Sequence, residues 1–374
     1  MRVRASEDTA EPVGRANSAG VGMNRQARAL HLALAVPTAA GSALAQDKAS
    51  LAWPPPPDAA RIEFVQTFGS AKDFGWKRSL WRKFVDWAMN ENDISLLSRP
   101  FALAVDSQGR LIIADAGSRD VKIFDTRNKS VKAIHGYKSR YFGAPVSVAV
   151  DDEDNIYVSD AGAGRVLKYS SQGRFLDFIG GPEGAFKRPA SIAFNPVNRW
   201  LYVVDTARPR VFGYSKDGRL MLRFGEAGIA PGQFNLPTFV TVDREGRIYI
   251  NDTMNFRVQV FSVDGKFISQ FGEAGDGSGN INRPKGLAVD SEGHIYVAEG
   301  MFSTIQIFDL QGNFLLNFGE EGAKSGQFRI PTGICIDRSD RIYVADPYQR
   351  RIQVFQYHPE PKRQAARASW GGKS

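Results

Sequence analysis

The sequence predicts an all-β fold, a closed ring of six small four-stranded sheets, and three observations carry that prediction. First, residues 236–261, LPTFVTVDREGRIYINDTMNFRVQVF, return in altered form at 283–308 and again at 330–355. Second, each unit opens on a proline: Pro100, Pro145, Pro189, Pro237, Pro284 and Pro331, at steps of 45, 44, 48, 47 and 47 residues. Third, every unit holds short β-branched or aromatic runs separated by turn residues.

The fourth unit shows the elements in order. Residues 239–242 are more uniformly apolar than the third run, as an innermost strand should be. A tight turn leads to a second strand at 248–250, and a loop leads to a third at 258–261, where polar and apolar residues alternate as in a half-exposed strand. Asp264-Gly265 then turns the chain into a fourth strand at 267–271. The residue closing the first hairpin of each unit is Gly109, Asp154, Asn198, Gly246, Gly293 or Asp340. Only residues tolerant of positive φ occur there, so all six hairpins are expected to need it.

Units two to five end on Ile179-Gly180, Phe224-Gly225, Phe271-Gly272 and Phe318-Gly319, whereas unit six stops after Phe355. The missing strand is written earlier. FVQTFG at 64–69 matches FISQFG at 267–272, so residues 61–69 are expected to pair with the last unit and shut the ring. Closure protects edges that an open arc would expose.

The segments RPKGLAVDSEGHIYVAEG and IPTGICIDRSDRIYVADPYQRRIQVF resemble NHL repeats, and the resemblance covers about residues 61–357. It implies a six-bladed β-propeller. Such propellers are similar in architecture to calcium-dependent lactonases, to the zinc-dependent amidating lyase and to binding modules, so the resemblance does not choose a function.

The chain has 374 residues, 43% of them hydrophobic, and a formal net charge of +8. Part of that charge lies in a basic tail at 358–374, with Lys362, Arg363, Arg367 and Lys373, expected to be disordered. A nucleic-acid partner is not expected. Residues 23–45 have the layout of a secretory signal peptide: Arg25 and Arg28, an apolar block at 29–40, and Ala43-Leu44-Ala45 before Gln46. The chain is therefore expected to be exported, periplasmic or extracellular, with residues 1–22 outside signal and fold. WPPPP at 53–57, within a linker spanning 46–60, reads as a stiff extended spacer.

Between the closing strand and unit one, residues 72–98 form an insertion. Trp76, Leu80, Phe84 and Ala88 recur every four residues against Lys77, Arg78, Arg82 and Lys83, which predicts an amphipathic helix over 76–93. Two readings stand: the helix packs across a propeller face, or the stretch from Trp76 to Met89 meets a membrane surface or a partner.

Chemistry-bearing residues are sparse. Cys335 is the one cysteine and sits in an apolar run, as a small buried hydrophobe would. His135, His294 and His358 fall at unrelated repeat positions, so they do not gather as zinc requires. One series of acids, Asp106, Asp151, Asp243, Asp290 and Asp337, with Asn195 in unit three, is placed to cap its own hairpin turn. A second, Asp115, Asp160, Asp205, Asp252, Glu299 and Asp346, ends the second strands. Arg165, Arg210, Arg257 and Arg351 follow five residues on, as loop-bracing partners. The channel positions Phe101-Ala102, Val146-Ser147, Ala190-Ser191, Thr238-Phe239, Lys285-Gly286 and Thr332-Gly333 contain no acid or histidine. No metal site and no cofactor are expected.

The loops between second and third strands are expected on the same face as the inter-unit connectors. In units four to six they bring forward Met254, Asn255, Phe256, Arg257, Met301, Phe302, Tyr348, Arg350 and Arg351. Aromatic, Met and Arg residues on rigidly held loops suit a binding patch, unless they fold down over the blade tops. The expected function is a protein- or glycan-binding scaffold on that loop face. The alternative is a metal-dependent hydrolase or lyase with its site in the central channel.

Overall fold

The computed structural model describes residues 51–70, 96–181 and 186–359. They form six antiparallel blades. Blade four is typical: Pro237–Val242, Ile248–Asp252, Arg257–Phe261 and Phe267–Phe271, hydrogen-bonded in sequence order. The innermost strands are Pro100–Val105, Pro145–Val150, Pro189–Phe194, Pro237–Val242, Pro284–Val289 and Ile334–Ile336. Each neighbours the next, and the last returns to the first, which closes the ring around an axial channel.

The core is divided into six apolar clusters, one between each pair of adjacent blades. In blades one to five the second strands are buried along their whole length, as in Ile248–Asp252 and Ile295–Glu299, because a neighbouring blade covers each face. Fourth strands lie at the perimeter, and in blades four and five only their last residue is buried. The glycine that ends them has a packing reason. Gly225 and Gly319 sit at φ of 85° and 82°, and a Cβ there would collide with the rings of Phe234 and Phe328, which the following connectors fold back onto the blade.

The ring closes as the repeat pattern predicts. Ile62–Phe68 pairs antiparallel with Arg351–Tyr357 and supplies the fourth strand of blade six. Within the expected linker, Ala52–Trp53 adds a fifth strand outside Ile62–Phe68. Trp53 packs against Phe318 and Phe355, both with ring centroids 5.8 Å away. An aromatic at the start of a proline run finds an apolar seat, and that burial outweighs the tendency of the prolines to stand clear of the domain.

The hairpin expectation holds at five positions and is corrected at one. Gly109, Asp154, Gly246, Gly293 and Asp340 have positive φ, but in blade three Arg199 takes it, not Asn198. That turn is one residue longer, closed by Arg199 N–H to the Asn195 carbonyl at 2.9 Å. The helix expected over 76–93 lies outside the described residues, and residues 96–98, the end of the expected insertion, are not helical. The signal-like segment 23–45 and residues 360–374 of the tail also lie outside them.

Candidate functional site

The two series of acids are structural, and their geometry shows how the loop face is held. In the first, Asp151 Oδ1 accepts the N–H groups of Glu153 and Asn155, while Tyr157 donates its hydroxyl to Oδ2 at 3.0 Å. Asp243 with Tyr249, Asp290 with Tyr296 and Asp337 with Tyr343 repeat the bond to the tyrosine. Burial, then the neighbouring carboxylate, pushes these phenols far above their usual range, so they stay donors. Blade three departs consistently. Asn195 replaces the aspartate, and Tyr202 donates to the Val263 carbonyl instead.

Second-strand acids are fully buried and tie each loop to the connector arriving from the blade before. Asp115 accepts the N–H groups of Ser98, Arg99, Gly117 and Ser118. Burial alone would raise its pKa; Lys122 and those donors outweigh burial and hold it below the usual carboxylate range. Glu299 accepts from Asn282, Arg283 and Met301, yet burial dominates and raises it. The arginine braces form in blades two, four and six: Arg165–Asp160 at 3.3 Å, Arg257–Asp252 at 2.8 Å and Arg351–Asp346 at 3.1 Å. In blade three Arg210 donates to the Gly225 carbonyl.

These bonds sort the expected binding residues. Arg257 is buried against Asp252, Gln270 and the carbonyls of Ala230 and Gln233. Arg351 is spent likewise on Asp346 and three carbonyls, and Asn255 on Asp252 and the Gly228 carbonyl. All three therefore hold the loops in place. Phe256 and Phe302 are half-buried, Phe256 with a left-handed backbone. Met254, Met301 and Tyr348 stand out, with 50%, 62% and 55% of their surface exposed. Arg350 is also exposed. Tyr348 reaches blade one, where the Arg99 guanidinium lies over its ring at 5.9 Å.

The described histidines are dispersed: His135 meets Tyr141 edge to face, His294 bonds Asp290, and His358 meets Glu63. Among the described residues no group of three or more His, Cys, Asp or Glu converges on a point. Cys335 is half-buried on the inner strand of blade six, and desolvation raises its thiol well above the usual value.

On the same face, the loop and connector ends surround the mouth of the channel. A cavity of about 360 Å³ opens there, lined chiefly by Phe101, Val146, Leu236 and Phe239 with Arg188, Lys285 and Thr332. A second, of about 250 Å³, lies further along the inner strands, and Phe239 lines both. Among the described residues the side chains of Arg188 and Lys285 have no hydrogen bond or ion pair. Burial and the nearby Arg283 charge lower the Lys285 pKa, against the pull of Glu299. Its stem runs past Gly300, where an added Cβ would lie 3.2 Å from Cε. Thr332 is 6% exposed and its Oγ1 has no partner.

Reading the channel positions for acids and histidines passed over these cations. The signal was present: the residue before the opening proline is Arg99, Arg188 or Arg283 in three units, and Arg329 lies two before it in a fourth. All four are exposed at the connector ends.

Comparison with known proteins agrees with the architecture. A family model described as a 6-bladed beta-propeller matches residues 239–301, and the NHL repeat model matches residues 328–355. No curated protein matches the chain. Among solved structures it is similar to a virginiamycin B lyase from Staphylococcus aureus crystallised with quinupristin. The TM-score is 0.54 at 13% identity, over 73% of this chain and 87% of that one. It is also similar to a gluconolactonase from Xanthomonas campestris, with a TM-score of 0.55 at 15% identity, over 70% and 87%. An auxiliary nutrient binding protein from Bacteroides thetaiotaomicron gives 0.55 at 15%, over 70% of each chain. Likeness at this identity concerns the fold alone. Repeat period, blade topology and family matches agree: the chain is a six-bladed β-propeller with NHL-type repeats.

Proposed function

We propose that the chain is an exported binding module whose loop face captures a protein or glycan partner. The observation that carries this reading is the alignment of Met254, Met301 and Tyr348, one from each of three successive blades, all at least half in solvent on one face. Their loops are pinned by the buried acids of the second strands, so the patch is ordered before a partner arrives, which lowers the entropy cost of association. The rival, a metal-dependent hydrolase or lyase in the channel, needs carboxylates or imidazoles at the mouth. The described lining offers apolar side chains and two cations instead.

The test is capture from the native extracytoplasmic compartment with the wild-type chain and with a Met254→Ser, Met301→Ser, Tyr348→Ser variant. The expected result is a partner held by the first and lost by the second, with equal thermal midpoints. Equal capture would remove this face from consideration.

A further inference from the structure

We propose that the channel mouth is itself a site for a small carboxylic acid with an apolar body. Lys285 and Arg188 hold its carboxylate, and Phe101, Val146, Leu236 and Phe239 enclose the rest. This goes beyond the loop-face partner and does not depend on it.

Four observations converge. The cavity of about 360 Å³ falls in the range of small-molecule sites, and its walls are mainly apolar with a few polar groups. Arg188 and Lys285 have no side-chain partner among the described residues, although elsewhere on this face Arg257 and Arg351 are saturated. A half-buried ammonium with no hydrogen-bonded carboxylate or carbonyl is costly, and an incoming anion lowers that cost. Thr332 lines the same cavity, and its hydroxyl is buried with no partner, so a ligand oxygen that reaches it would gain a hydrogen bond. Finally, the described lining contains no acid, and Glu299 acts on Lys285 only from outside it.

These features also select against other ligands. A sugar needs a dense array of hydrogen-bonding groups, which Phe101, Val146, Ala190, Leu236 and Phe239 do not supply. A divalent cation would face Arg188 and Lys285. A bare inorganic anion would satisfy the charges but leave the apolar walls wet.

Isothermal titration of the full chain tests the assignment, using aromatic and short aliphatic carboxylates led by phenylacetate. Phenylacetamide serves as the neutral isostere, and acetate and inorganic phosphate as head groups alone. The expected result is a carboxylate that binds at least tenfold more tightly than its amide and than either head group. Lys285→Met should weaken it at least tenfold and Arg188→Gln several-fold, and Thr332→Val should also weaken it, with amide binding unmoved. Arg188 is exposed, so its variant keeps the test open if Lys285→Met fails to fold. Amide binding equal to acid binding, wild-type affinity in both cation variants, or no binding by any acid of the panel would overturn the proposal. Phosphate binding as tightly as the best acid would overturn the apolar part of it. The serine variant of the loop patch should leave these affinities unchanged, so the two readings fail separately.

Discussion

Phe64 and Phe355 are register partners across the seam that closes the ring, and their rings meet edge to face with centroids 5.6 Å apart. One belongs to the closing strand Ile62–Phe68 near the start of the propeller and the other to its last strand. Phe355 also contacts Trp53, Phe318 and Phe328, so a single aromatic cluster joins closure to the blade five core. Truncating Phe64 to alanine should destabilise the fold by about 2 kcal/mol, less than a fully buried phenylalanine because Phe64 is half-exposed. Urea unfolding reads the loss. An unchanged midpoint would mean that the seam adds little to the stability of the ring.

Gly286 sits where the inner strands of blades five and six pack backbone against backbone. A Cβ there would run into the Thr332 carbonyl and lie 2.9 Å from the Ile334 backbone nitrogen. Backbone cannot give way as a side chain can. Gly286→Ala should therefore cost about 1–3 kcal/mol through overpacking. The measurement is the denaturant midpoint, with Gly181→Ala as the comparison for backbone strain alone, since that glycine has positive φ and nothing within 4 Å of its Cβ.

His294 should give stability a pH dependence. Its pKa is raised first by the hydrogen bond to Asp290; burial opposes, the charges of Asp290 and Glu292 assist, and Arg61 opposes. A histidine raised in the folded state contributes fully below its unfolded pKa of roughly 6.5 and loses that contribution as pH climbs through the folded value. Melting curves of wild type and His294→Gln should differ most in mild acid and converge at alkaline pH. A gap that does not change with pH would assign the histidine a packing role only.

Lys285 should carry the opposite sign. Burial and Arg283 lower its pKa, so the unfolded chain holds the proton more firmly than the folded one. Stability then rises with pH from the folded value toward the ordinary lysine value. Replacing the ammonium with an apolar chain of similar length, Lys285→Met, should raise the urea midpoint at neutral pH. A lowered midpoint would show that the lysine supports the fold and is not retained at its expense.

Much of this architecture was legible beforehand, because it rests on local rules repeated six times. The proline period, the turn residues tolerant of positive φ, the capping acids and the echo of the Phe-Gly strand at 64–69 each express a backbone or turn requirement acting over a few residues. The turn position failed in blade three, where Asn195 replaces an aspartate and the hairpin lengthens by one residue. Trp53 shows a different limit. A proline run reads as a spacer until the apolar seat formed by Phe318 and Phe355, some 260 to 300 residues away in sequence, is assembled.

The linear chain thus determined the number of blades, their strand order, their turns and the seam that joins the ends. Only the closed ring decided which arginines are consumed and which stay free. Arg257 and Arg188 are the same residue type, but one is surrounded by carbonyls from its own connector and the other lines the channel mouth. A cation's worth depends on the partners the fold brings within a few ångströms, and those partners lie far apart in sequence.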